Sequence, residues 1–175
     1  MGGFTLALAL LFNLVLAKTL NITGNNKQSS TALLVGNTVA VPEQEQPIFG
    51  LPVRLKIPSI KIDALVENVG LTPNGAMDVP KERANVAWFS LGPRPGENGS
   101  AVIAGHYGRQ NGKGSAFDDL HKLRKGDKLY IEDDKGAIVS FVVRESRRYD
   151  PKADASSIFD SNDGKSHLNL ITCEG

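Results

Sequence analysis

The strongest pattern in the chain is short runs in which apolar and polar residues alternate. Val53, Leu55 and Ile57 alternate with Arg54 and Lys56, and after Pro58-Ser59 the apolar phase slips by one to Ile60, Ile62 and Ala64. That predicts two short strands joined at a bulge or kink. Gly70-Leu71-Thr72-Pro73-Asn74-Gly75 is turn chemistry, Val86–Phe89 is a short apolar run, and Leu91–Gly99 is too rich in Gly and Pro for regular structure. Ala101–Ala104 is apolar at every position, which predicts an interior strand. Lys128–Glu132 and Ile138–Arg144 flank Asp133-Asp134-Lys135-Gly136 and predict a hairpin. Leu168–Cys173 predicts a last strand, with Asn169, Ile171 and Cys173 on one face and Leu168, Leu170 and Thr172 on the other.

One segment breaks this pattern. From Ser115 to about Lys125, Phe117, Leu120 and Leu123 form a stripe, Ser115 stands at a capping position, acids lead, bases follow and Gly126 ends the run. The spacing predicts a helix. Asp150-Pro151 opens a loop in which a short helical turn is expected around Ala155–Phe159. Many short strands with turn signals between them and so little helix predict a mainly β protein, a small closed β-barrel.

The barrel is expected to occupy residues 51–175, preceded by two other segments. Residues 21–50, rich in Asn, Ser, Gln, Thr and Gly, read as a flexible linker. Residues 1–20 contain an apolar run from Gly3 to Ala17, closed by Lys18. It is shorter than the roughly 20 residues of a spanning helix and lacks a basic leader. It reads either as a membrane anchor or as an uncleaved signal-type segment, and the lack of a clear cleavage site after it favours the anchor.

Composition narrows the function. The chain is 41% apolar and 22% charged, enough for a packed core. A net charge of +1 gives no electrostatic case for nucleic acid. No spacing of acids, histidines or cysteine suggests a metal site. A single cysteine, Cys173, excludes an internal disulfide.

That cysteine ends the last predicted strand. By itself a lone cysteine is more often an inert small apolar side chain than a nucleophile. His106 likewise follows an interior strand, in Gly105-His106-Tyr107-Gly108. His121 lies among charges and His167 precedes the last strand. A thiol that must become a thiolate and a histidine that can exchange its proton are the parts of a cysteine acyl-transfer site. The pairing of His106 with Cys173 in space is an assumption at this level.

These residues resemble a family. Ala101-Val102-Ile103-Ala104-Gly105-His106 resembles the histidine strand of the sortases, and Asn169-Leu170-Ile171-Thr172-Cys173 their Thr-Leu-x-Thr-Cys strand, with Asn169 in place of the first Thr. Phe117–Leu120 and Lys125–Leu129 are also sortase-like, and the resemblance extends from about Leu51 to Gly175. It implies an eight-stranded barrel with one or two short helices and no cofactor. It implies catalysis by His106 and Cys173, with Thr172 against the substrate. Cys173 would cleave a Leu-Pro-x-Thr-Gly-like sorting signal between Thr and Gly. The acyl group would then pass to an amine of a cell-wall precursor or pilin, on the outer side of a membrane that holds the N-terminal segment. The Pro-Gly-Glu-Asn-Gly-Ser lead-in is similar to that of classes E and F. One departure stands out: the family's arginine lies on a strand after the cysteine strand, and this chain ends at Glu174-Gly175. The expectation is therefore a barrel short of its last strand, with an open edge beside Leu168–Cys173 and little activity as it stands. A cysteine hydrolase and a non-catalytic anchored barrel are the competing classes.

Overall fold

The structure, a computed structural model, describes residues 9–15, 48–150 and 153–173. The strands are β1 (Ala9–Val15), β2 (Pro52–Ile57), β3 (Ile62–Val69), β4 (Val86–Phe89), β5 (Gly99–Gly105), β6 (Lys128–Asp133), β7 (Ile138–Arg148) and β8 (Ser166–Cys173). They close into a barrel in the order β1-β7-β6-β2-β3-β4-β5-β8.

The alternation read from the sequence is what fills this barrel. Leu55 and Ile57 of β2, Leu129 and Ile131 of β6, Phe141 and Val143 of β7, and Leu168 and Leu170 of β8 all join one core. Each pair is two residues apart, so each shares one face of its strand. β5 is covered on both sides, with every residue from Ser100 to Gly105 buried, as its unbroken apolar run requires. It pairs antiparallel with β4 and parallel with β8.

At Pro58-Ser59 the phase slip is a 3-10 turn over Pro58–Ile60. Proline suits its first position, and Lys61 leaves it with φ 58°. The β6–β7 turn closes around Asp133, whose carboxylate accepts from the amides of Gly50, Lys135 and Ala137.

The segment expected to be helical is corrected. Between Ser115 and Lys125 there is only a 3-10 turn, Leu120–Lys122, with hydrogen bonds of three-residue span such as Leu120 N–H to Phe117 O and Leu123 N–H to Leu120 O. Phe117, Leu120 and Leu123 are spaced by three, which suits a three-residue turn as well as an α-helical stripe. All three are buried. Tertiary acceptors take the leading amides: Ala116 N–H donates to Arg83 O and Phe117 N–H to His106 O. The short turn expected near Ala155–Phe159 is present as Ser156–Ile158.

The open edge expected beside β8 is also corrected. β1 lies antiparallel between β7 and β8, with Ala9 opposite Cys173 and Val15 opposite His167, so its backbone pairs with both neighbours. Of the expected anchor, residues 1–8 and 16–20 lie outside the described residues, as does the linker through residue 47. Among the described residues no helix is long and apolar enough to cross a membrane.

Candidate active site

β5 and β8 run parallel and in register from Gly99 opposite Ser166 to Gly105 opposite Thr172. The next residue on each chain is His106 and Cys173. Adjacent strands lie about 4.8 Å apart, so the two residues leave neighbouring strand ends together. This brings together the two residues singled out in the sequence.

The strand ends are held from several sides. Thr172 is 3% exposed, and its hydroxyl donates to Gly105 O at 2.7 Å. The Thr172 hydroxyl, expected against the substrate, is thus bonded to the neighbouring backbone and joins the two strands. Gly105 lies against the Phe117 ring, where a Cβ would come within 2.6 Å of Cγ. Asn169, on the opposite face of β8 from the core leucines, donates from Nδ2 to Ile158 O at 2.5 Å and fastens the 3-10 turn to the strand.

His106 is half-buried, and its Nε2 is 2.8 Å from Pro80 O. A carbonyl can only accept, so this nitrogen carries the hydrogen. The backbone after it is clamped. The Arg83 guanidinium donates to Tyr107 O at 3.0 Å and Gly108 O at 2.7 Å, while Gly108 N–H donates to Asp118 Oδ1 at 2.8 Å. Ser115 Oγ also donates to Gly108 O, at 2.6 Å. Gly108 itself has φ 84°, a conformation costly for a residue with a Cβ.

Cys173 is exposed as a residue, yet partial burial desolvates its sulfur and pushes the thiol above its ordinary value. At neutral pH the side chain is mostly the thiol, and it depends on a proton partner to act as a nucleophile. His121 is exposed. His167, the second residue of β8, donates to Asp163 Oδ1 at 2.8 Å. It lies six residues up the strand from Cys173, about 20 Å away. Among the described residues no group of His, Cys, Asp and Glu is placed to hold a metal.

Sequence reasoning missed the residues that hold the histidine and the backbone after it: Pro80, Arg83 and Asp118. Nothing in their spacing marks them, because the crossover from β3 to the parallel β4 is what carries residues 80–85 to His106. It also passed over Arg148, which sits across β1 from Thr172 through Leu10.

The fold and site together define a small β-barrel with a cysteine and a histidine at the ends of adjacent parallel strands. A sortase-domain family model matches residues 55–175. The chain belongs to the sortase family. In structure it is similar to sortase C-1 from Actinomyces oris, with a TM-score of 0.56, 24% identity, and coverage of 71% of this chain and 66% of that one. It is also similar to sortase A from Corynebacterium diphtheriae, at TM-score 0.57 and 20% identity over 73% and 55% of the two chains. Sortase C from Clostridium perfringens matches at TM-score 0.53 and 21% identity, over 78% and 68%. The chain thus spans only about two thirds of the Actinomyces sortase and about half of the Corynebacterium one. No curated protein matches the sequence.

Proposed function

We propose that the chain acts as a cysteine transpeptidase on a Leu-Pro-x-Thr-Gly-like sorting signal. Cys173 Sγ, as thiolate, attacks the Thr carbonyl carbon. The Thr–Gly amide bond breaks, and His106, protonated, gives its proton to the leaving amine. The thioester is then attacked by an amine of a cell-wall precursor or pilin. His106, now neutral, takes a proton from the attacking amine, so that a new amide forms, the thiolate leaves and the imidazolium is restored. The observation that carries this reading is the register of β5 and β8, with Gly105 opposite Thr172 one residue before each reactive side chain. Partial desolvation of Cys173 is consistent with a site that shields a thioester from water.

The reaction is assigned to the outer side of a membrane, with residues 1–20 as the tether. The tether and the strand are alternative placements of one run: residues 9–15 must leave β7 and β8 before they can enter a membrane.

The test is incubation of the full chain with a sorting-signal peptide, with and without an amine acceptor, followed by mass spectrometry of protein and products. A thioester on the wild type, none on Cys173→Ala, and an acceptor-joined product support transpeptidation. Hydrolysed product alone in the presence of acceptor replaces it with a cysteine hydrolase. No adduct and no cleavage would leave a non-catalytic barrel.

A further inference from the structure

The imidazole of His106 rests on a peptide group that is itself held from the other side. Glu67, half-buried on β3, accepts three hydrogen bonds from the segment that crosses to β4. Lys81 N–H donates to Oε2 at 2.9 Å, Glu82 N–H to Oε1 at 3.3 Å, and Asn85 Nδ2 to Oε1 at 2.9 Å. Burial, the largest single influence on this carboxyl, works against its charge, yet these donors hold it below the ordinary carboxylate range.

Two of the bonds belong to one rigid unit. Pro80 C=O and Lys81 N–H are opposite ends of a single planar peptide group. Glu67 Oε2 fixes the N–H end, and His106 Nε2 donates to the C=O end at 2.8 Å. This peptide group turns only by coupled rotation about ψ of Pro80 and φ of Lys81. The bond from Lys81 N–H to Glu67 opposes that turn.

We propose that Glu67 is a positioning residue for His106: through the Pro80–Lys81 peptide it holds the ring in one orientation and as the Nε2–H tautomer, so that Nδ1 takes up and gives back the proton. This rests on the reading of His106 as the acid–base group. Nε2 keeps its hydrogen in both the neutral and the charged ring, because a carbonyl accepts in either case. Without Glu67 the peptide turns, the carbonyl leaves the ring, and the imidazole exchanges tautomers as a free histidine does.

The experiment is nitrogen-15 NMR of the full chain labelled at its three histidines, in wild type, Glu67→Gln and Glu67→Ala, beside peptide-cleavage kinetics across pH. Asp63→Asn, on the same strand and bonded to Arg54 instead of the crossover, is the control. Wild type should show His106 as the Nε2–H tautomer. Glu67→Ala should show mixed tautomers, a displaced histidine limb in the pH–rate profile, and kcat lowered about tenfold with little change in KM, the cost of a group held loosely. Glu67→Gln, which keeps one acceptor oxygen, should fall between, and Asp63→Asn should match wild type. A folded Glu67→Ala with the wild-type tautomer and pH profile overturns the proposal; if that variant does not fold, the same result in Glu67→Gln overturns it. The two readings fail separately. If His106→Ala keeps full activity, the acid–base assignment falls while the tautomer still reports on Glu67. If His106→Ala is inactive and the ring is unchanged in the Glu67 variants, only the positioning falls.

Discussion

The Thr172 hydroxyl donates to Gly105 O across 2.7 Å, one residue before Cys173 on one strand and one before His106 on the other. This bond pins the two strand ends at the point where the candidate nucleophile and its proton partner emerge. Thr172→Val keeps the shape and removes the donor. Losing a buried hydrogen bond of this kind costs about 1–3 kcal/mol. Denaturant unfolding should show that loss, and peptide cleavage should fall with it. Unchanged stability would mean that Gly105 O finds another donor.

Gly105 has no room for a side chain. An added Cβ would meet the ring of Phe117, which is fully buried and cannot withdraw. Gly105→Ala is expected to destabilise the barrel by about 1–3 kcal/mol, as overpacking does, and to displace His106. Thermal unfolding followed by circular dichroism checks the first effect, and cleavage rate the second.

Desolvation raises the Cys173 thiol above its ordinary value, so the thiolate fraction grows only at high pH. The rate of iodoacetamide alkylation should still be climbing at pH 9, above the midpoint of about 8.5 for an unperturbed thiol. A rate that levels off by pH 7 would reveal a thiolate stabilised by a nearby cation and would contradict the desolvation argument.

Hydrogen bonding from His167 holds the Asp163 carboxyl down at about 2, aided by the Lys165 amide and Ser161. A carboxyl depressed in the folded state contributes stability above its unfolded value of about 3.9, and that contribution fades as pH falls through the folded value. Carbon-13 NMR should find the Asp163 midpoint near 2 in the wild type and closer to 3.9 in His167→Ala. An identical midpoint in both would remove His167 as the cause.

β1 pairs with both β7 and β8. A chain beginning at residue 51 lacks it and leaves two strand edges facing solvent, a template for self-association. Light scattering on the two lengths is the check. The shorter chain should form oligomers that the full chain does not. A monomeric short chain would mean that the β7 and β8 edges close without β1.

Much of this was legible from the pattern of residues alone. Period-two alternation marks β2, β6 and β7 because each has one face in the core and one nearer solvent, and side chains follow that difference directly; in β8 the second face is partly covered, with Asn169 buried under the Ser156–Ile158 turn. The fully apolar Ala101–Ala104 run marks an interior strand for the same reason. Cys173 and His106 stand out because they follow such runs. The segment from Ser115 to Lys125 misled because a stripe spaced by three fits a 3-10 turn as well as a helix, and the choice was made by acceptors on Arg83 and His106, distant in sequence. What only the tertiary structure decided is pairing. That β5 and β8 lie parallel with Gly105 opposite Thr172, that Ala9–Val15 takes the place between β7 and β8, and that Glu67 reaches His106 through the Pro80–Lys81 peptide are all contacts between residues far apart in the chain. Local periodicity reports which face of a strand is buried; it holds no information on which strand lies next to it.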